Sequence, residues 1–346
     1  MRLATYRAAN AALIDAQASI PLAQVWGGGL VASVDGMRFV VPVPSVYARP
    51  NPKYFGRRGG ATWLNILKRA GRRARREGGG RHSARLPVRA GRAGRALDRD
   101  GGRRPEMIVT DTASYNDIVF GLLTLAGFAY ASQLADLPDQ KMWRIDRTAD
   151  YGPFTDAARG RVDLARVERH WEDILRIIGS IHTGAVRAYD VIRMLSRDGR
   201  PTPLGDAIAH YGRIAKTLHI LRLADEPGYR RQIKVQANLQ EGRHALARKI
   251  FHGRAGQLYQ RYQDGMEDQI GALGLVLNAL VLFTTRYMNA ALEQLRASGV
   301  EVREEDVARL SPFVRHHINM LGRYSFALPE MPGGLRPLRA PDATGE

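Results

Sequence analysis

The chain contains no cysteine, so disulfides, thiolate nucleophiles and Cys-held zinc or iron–sulfur clusters are excluded, and any resident metal must sit on oxygen or imidazole. Long apolar runs are also missing. The longest, Ile270 to Phe283, falls short of the roughly 20 residues that a bilayer span requires; it reads as a buried helix, and no membrane association is expected. Asn10 and Asp15 interrupt what would be the apolar part of a secretory signal, which makes a cytoplasmic location the expectation. His182, His219, His316 and His317 do not form the paired spacing of a zinc helix. Ser114 lies in no GxSxG elbow, and the triple glycine at 27–29 lacks the Lys-Ser or Lys-Thr of a phosphate loop. Zinc enzymes, serine hydrolases and nucleotide triphosphatases are therefore not expected.

What is present is a globular composition, with 346 residues, 45% of them hydrophobic and 25% charged, enough for about two ordinary domains. The net charge of +18 points to a polyanionic partner, but it is unevenly spread. Sixteen basic and three acidic residues lie between Arg57 and Arg104, so +13 sits in that stretch and +5 in all the rest. From Lys68 to Gly102 the text is almost entirely Arg, Gly and Ala, without a helix or strand period. The nucleic-acid argument must therefore rest on particular residues.

Periodicity predicts a helix over Arg7 to Val25, then β-rich runs on either side of Asp35-Gly36, a dipeptide that reads as a hairpin turn. Glu106 to Asp111 reads as a buried strand, Ser114 to Phe128 as a loop and an Asn- or Asp-capped helix, and Phe128 to Leu134 as a further strand. From Asp163 to about Asn238 the period is helical throughout; another helix is expected to open near Glu241, and a long one to cover Asp264 to Arg296.

Asp35 and Asp111 each end a β-run, and Glu241 belongs to a helix. Two strand-borne aspartates and a helix-borne glutamate form the hard-oxygen set that suits Mg²⁺, and pairs of such ions, about 3.5 to 4 Å apart, serve phosphodiester chemistry. Each acid also has a plainer reading. Asp35 fits a turn, Asp111 fits a helix cap, and Glu241 fits the positive end of a helix; Glu267 is the fallback for the third carboxylate. Trp143 and Tyr151 could stack on bases or merely edge the core.

The surrounding words are more specific. SVDGMRFVVP around Asp35, PEMIVTDTASYNDIVFGL around Asp111, WRIDRTADYGP at 143–153, HTGAVRAYDVIRML at 182–195, EGRHALARKIFHG around Glu241 and HINMLGRYSF at 317–326 together resemble the catalytic region of Tn3-family transposases. The resemblance covers most of the chain outside 68–102. It implies an α/β fold, an RNase H-like mixed sheet with a large all-helical insertion and a helical C-terminal part. It further implies a DDE-type polynucleotidyl transferase in which Asp35, Asp111 and Glu241 hold two Mg²⁺ ions, or Mn²⁺. The substrates would be transposon-end and target DNA, the reaction 3′-end cleavage followed by strand transfer in replicative transposition, and the DNA complex could contain a homodimer. The corresponding division is a helical lead-in at 1–26, the first part of the core at 27–138, the insertion at 139–238, the catalytic-Glu helix and C-terminal helices at 239–328, and a disordered tail at 329–346. On a helix starting near Glu241, Arg243, His244 and Arg248 would form a basic edge for DNA phosphates.

Two departures from the family pattern are apparent. The Arg/Gly/Ala stretch at 68–102 replaces an ordered segment between matching flanks, which is what paired, compensating frameshifts in a GC-rich gene would leave. Reading the gene in its other two frames is expected to recover family-like residues there. Family members also carry a longer N-terminal portion, so the chain is expected to be a truncated copy. The competing readings are a non-catalytic basic DNA-binding remnant and a stand-alone RNase H-like nuclease.

Overall fold

A computed structural model describes residues 3–26, 31–48, 50–51, 56–68, 72–74, 105–111, 115–134, 139–186, 188–197, 200–251, 256–319 and 322. The Arg/Gly/Ala stretch, apart from a short strand at 72–74 and the end of the preceding one, lies outside the described residues, as does the tail at 329–346. The lead-in is two helices rather than one, α1 (Leu3–Ala18) and α2 (Pro21–Val25). Pro21 lacks the N–H that a continuing helix needs but fits the first turn of a new one.

The central sheet contains β1 (Val31–Val40), β2 (Pro50–Asn51), β3 (Gly56–Lys68), β4 (Arg72–Ala74), β5 (Met107–Thr110) and β6 (Ala129–Ser132), in the order β2-β3-β1-β5-β6 with β4 also on β3. β1 pairs antiparallel with β3 and parallel with β5, and β5 pairs parallel with β6. The sheet is therefore mixed, as expected. The hairpin expected at Asp35-Gly36 is not there: β1 runs straight through, with Asp35 opposite Asn65 and Gly36 opposite Leu64. A local turn preference yields because β1 is a central strand and breaking it would forfeit ladder bonds.

α3 (Asp117–Leu125) leads from β5 to β6, and the Asn116 side chain caps it by accepting from Ile118 N–H at 2.9 Å. Beyond β6 come short parallel strands β7 (Trp143–Arg144) and β8 (Gly160–Arg161), then α4 (Leu164–Arg169), α5 (Trp171–His182) and α6 (Ala188–Met194). A two-residue ladder follows, β9 (Ser196–Arg197) with β10 (Arg200–Pro201), before α7 (Pro203–Asp225), α8 (Pro227–Ile250), α9 (Gln263–Ala297) and α10 (Glu304–Val307). The region expected to be purely helical thus contains two small ladders. The division expected between residues 238 and 239 falls inside α8, where no proline interrupts the helical run.

The layers follow from strand alternation. Ala32 and Val34, with Ile108 and Tyr130, pack beneath Val119, Phe120 and Leu123 of α3. On the opposite face, Val31, Met107, Val109 and Ala131 meet Leu223 of α7 and Tyr229 and Ile233 of α8. Farther along that face, Met37, Phe39 and Val41 meet Leu246, Ala247 and Ile250 of α8 and Met266, Ile270, Leu273, Leu277 and Val281 of α9. α9 is, among the described residues, the one helix long and apolar enough by length and composition to cross a membrane; one of its faces is committed to this core. Between the two apolar patches lie Ser33 and Asp35.

α3 and α7 approach closely at a pair of glycines. A Cβ on Gly212 would lie 1.8 Å from the Asp117 carbonyl oxygen, and one on Gly121 would lie 2.4 Å from that of Ile208. Glycine is used here because the two backbones touch.

Candidate functional site

The β1–β5 ladder ends at Val34 opposite Thr110, so Asp35 and Asp111 are the first residues past it on neighbouring parallel strands. Alternation along β1 places Asp35 on the face that α8 covers, and Asp111 directly follows the end of β5. α8 lies along β1 and brings Glu241 to Asp35. Ligand atoms of Asp35, Glu241 and His244 all lie within 4.8 Å of one another. Glu241 is the fifteenth residue of α8, not an opening residue, so neither a capping role nor a dipole role accounts for it. Its side chain is exposed and that of Asp35 is 20% exposed, so solvent reaches the cluster. Neither Asp111 nor Glu267, on α9, is part of this cluster.

A buried polar row backs Asp35. Gln236 Nε2 donates to Ser33 Oγ at 3.0 Å, Ser33 Oγ donates to Gln240 Oε1 at 2.9 Å, and Gln240 Nε2 lies 3.1 Å from His244 Nε2. His244 Nδ1 is 3.5 Å from Asp35 Oδ2. Burial, reinforced by the charges of Arg243 and Arg248, pushes the His244 imidazole down to about 3, so it is neutral at neutral pH.

A second buried row backs Asp111. Ser132 Oγ donates to the Asp111 carbonyl at 3.0 Å, and the Ser132 carbonyl lies 2.9 Å from His219 Nε2. The other ring nitrogen, Nδ1, is 2.8 Å from the Tyr229 hydroxyl. A carbonyl can only accept, so His219 carries its proton on Nε2 and takes the tyrosine proton at Nδ1. Burial holds this imidazole down to about 4, opposed by the bond to Ser132. As pH falls, the unfolded chain protonates first, so this contribution is complete above pH 6.5 and is lost towards pH 4. Urea denaturation is expected to show roughly 3 kcal/mol less acid destabilisation between pH 7 and pH 4 in His219→Gln than in the parent chain.

The three basic-edge residues part company. Arg243 is fully buried; its Nη2 donates to Asn278 Oδ1 at 3.2 Å, and Asn278 Nδ2 donates to Asn10 Oδ1 at 2.5 Å. Without access to solvent it cannot grip a phosphate, and burial lowers its pKa to about 9. It ties α8 to α9 and α1. His244 also faces inward, 2% exposed, because positions 240, 243, 244 and 247 form the buried stripe of α8. Arg248 is exposed, seven residues and about 10 Å along the helix from Glu241.

Trp143 lies beneath Lys141, Arg213 and Lys216, with Lys216 Nζ 4.9 Å from the ring centre, and Arg144 stacks on Tyr151. Own-chain cations thus already contact both aromatics. Ser33, Gln236 and Gln240 are the site residues that sequence reasoning missed. Their signal is polar residues at positions 236, 240 and 244, four apart on a helix, facing a polar strand residue.

Comparison with known proteins shows the family. The family model described as the Tn3 transposase DDE domain matches residues 1–324. The chain belongs to that family. It is 83% identical to the transposase for transposon Tn4556 of Streptomyces fradiae, over 100% of this chain and 38% of the relative. It is 43% identical to the transposase for transposon gamma-delta of Escherichia coli, over 98% and 34% respectively. The transposase for Tn1546 of Enterococcus faecium is 31% identical over 96% of this chain and 33% of its own length. This Tn3-family chain therefore spans about a third of the length of these relatives. No solved structure matches it.

Proposed function

We propose that the chain is the catalytic part of a DDE transposase, with an RNase H-like core that cleaves DNA at transposon 3′ ends and joins the freed ends to target DNA. The observation that carries this reading is the approach of Glu241, from mid-helix, to within 4.8 Å of Asp35, with Asp111 following the end of the neighbouring parallel strand. The strand order, with antiparallel β3 and β1 followed by parallel β5 and β6, supports the fold assignment.

The donor set suits Mg²⁺ or Mn²⁺, since it offers carboxylate oxygens and no thiolate. A pair of such ions would activate the attacking oxygen and stabilise the leaving one in an in-line displacement. The chain supplies the fixed frame. Asp35 sits on β1, Asp111 directly follows β5, and Glu241 meets Asp35 from mid-helix with an exposed side chain. Arg248 offers a planar fork of donors to a backbone phosphate without reading sequence. Each phosphate that Arg248 or another exposed cation neutralises would make DNA binding fall more steeply with added salt. The DNA-bound state could contain two copies.

The test is cleavage of a duplex bearing transposon ends, with Mg²⁺ or Mn²⁺, beside a duplex of unrelated sequence. Metal-dependent cutting confined to the end-bearing duplex supports the proposal. Cutting of both supports a stand-alone nuclease, and binding without cutting, indifferent to loss of the acids, supports a DNA-binding remnant.

A further inference from the structure

We propose that His244 is a positioning residue for Asp35, donating its Nδ1 proton to the carboxylate in a tautomer that the Gln236–Ser33–Gln240 row imposes. This rests on the reading of Asp35 as a metal-holding carboxylate. The argument is one of direction. The Ser33 hydroxyl has a single proton and gives it to Gln240 Oε1, while accepting one from Gln236 Nε2. With its oxygen so engaged, the Gln240 amide presents N–H to His244 Nε2 at 3.1 Å. An amide N–H cannot accept, so Nε2 must be the bare nitrogen and the single ring proton sits on Nδ1, the atom 3.5 Å from Asp35 Oδ2. Every donor in the row therefore points towards the carboxylate.

The other oxygen of Asp35 is bound from its own strand, where Gly36 N–H donates to Oδ1 at 2.6 Å. With one donor at each oxygen, rotation about the carboxylate's terminal torsion is restrained, and this torsion is broad when left alone. A carboxylate held at both oxygens keeps its remaining lone pairs aimed in one direction, which is how outer partners tune a ligand. His244 also stands within ligand range of the cluster, but a nitrogen that carries a proton has no lone pair to offer a cation. Positioning and ligation are thus mutually exclusive at Nδ1.

The test uses the whole chain labelled with ¹⁵N-histidine, the His244 signals being assigned by their loss in His244→Asn. Without metal, Nδ1 is expected to report as protonated and Nε2 as bare, and this pattern is expected to persist when Mg²⁺ is added. In Gln240→Leu the preference for one tautomer is expected to weaken. Titration with Mn²⁺ alone is expected to show binding about 10- to 100-fold weaker in His244→Ala. His244→Asn, whose amide can place an N–H near the position of Nδ1, is expected to restore most of it. A metal-free spectrum with Nε2 protonated overturns the proposal. So does an Nδ1 that loses its proton as Mg²⁺ binds, or a folded His244→Ala that binds Mn²⁺ unchanged. Failure of the underlying reading looks different: Asp35→Asn would leave Mn²⁺ binding intact whatever the imidazole spectrum shows.

Discussion

Asp35→Asn, Asp111→Asn and Glu241→Gln are each expected to lower metal-dependent DNA cleavage by about 10³-fold or more, with little change in DNA binding or thermal stability. The magnitude follows from what is removed. Each amide is nearly isosteric with its acid, so packing is kept, but a charged ligand oxygen is replaced by a neutral one where the reaction needs concentrated positive charge. Losing one member of a group that acts as a unit costs nearly as much as losing all of them. The double substitution Asp35→Asn with Glu241→Gln is therefore expected to be scarcely worse than either alone. Single-turnover cleavage of an end-bearing duplex at saturating protein measures this. Losses that multiply in the double variant would count against one shared centre.

Gly212→Ala is expected to be the most damaging single methyl that can be added to the helical layer. Its Cβ would lie 1.8 Å from the Asp117 carbonyl oxygen and 2.7 Å from the Gly121 nitrogen, contacts that no rotamer can relieve because both partners are backbone. α3 and α7 would have to separate, and the strain would spread to the ion pairs that Asp117 makes with Arg213 and Lys216, each at 3.0 Å. The expected loss is about 3 to 5 kcal/mol, at or above the upper end of ordinary overpacking, against a total stability of about 5 to 15 kcal/mol for a typical domain. The same methyl at Gly179, on α5, meets nothing within 4 Å and is expected to stabilise by up to about 1 kcal/mol through helix propensity. Denaturant midpoints of the two variants, compared with the parent, test the contrast. Because α3 follows the strand that carries Asp111, Gly212→Ala is also expected to lose activity at temperatures where it remains folded.

The strands and helix around Asp111 were legible because local signals and tertiary demands agree there. Met107 to Thr110 is a run of apolar and β-branched residues buried on both faces, and Asn116 supplies the side-chain cap that the reading required. Around Asp35 the signals conflict. Asp-Gly is a turn dipeptide in isolation, yet β1 is paired along its whole length, and that pairing depends on distant sequence. The helix expected to open near Glu241 begins instead at Pro227, after Glu226, and runs through that position. The fates of Arg243 and His244 were hidden for a related reason. A buried stripe is normally recognised by apolar residues at helical spacing, and here Gln240, Arg243 and His244 occupy it. Six motifs in order identified the family where periodicity alone could not.

Two residues of β1 advance about 6.6 Å and four residues of α8 about 6.0 Å, which is why Gln236, Gln240 and His244 keep step with Ser33 and Asp35. The helix thus acts as a ruler laid against the strand. Deleting one residue between Ile233 and Gln236 would turn everything downstream by about 100°, swinging Glu241 and His244 off the sheet while leaving both aspartates in place. A length change along α8 is accordingly expected to remove Glu241 from Asp35 as surely as its substitution would.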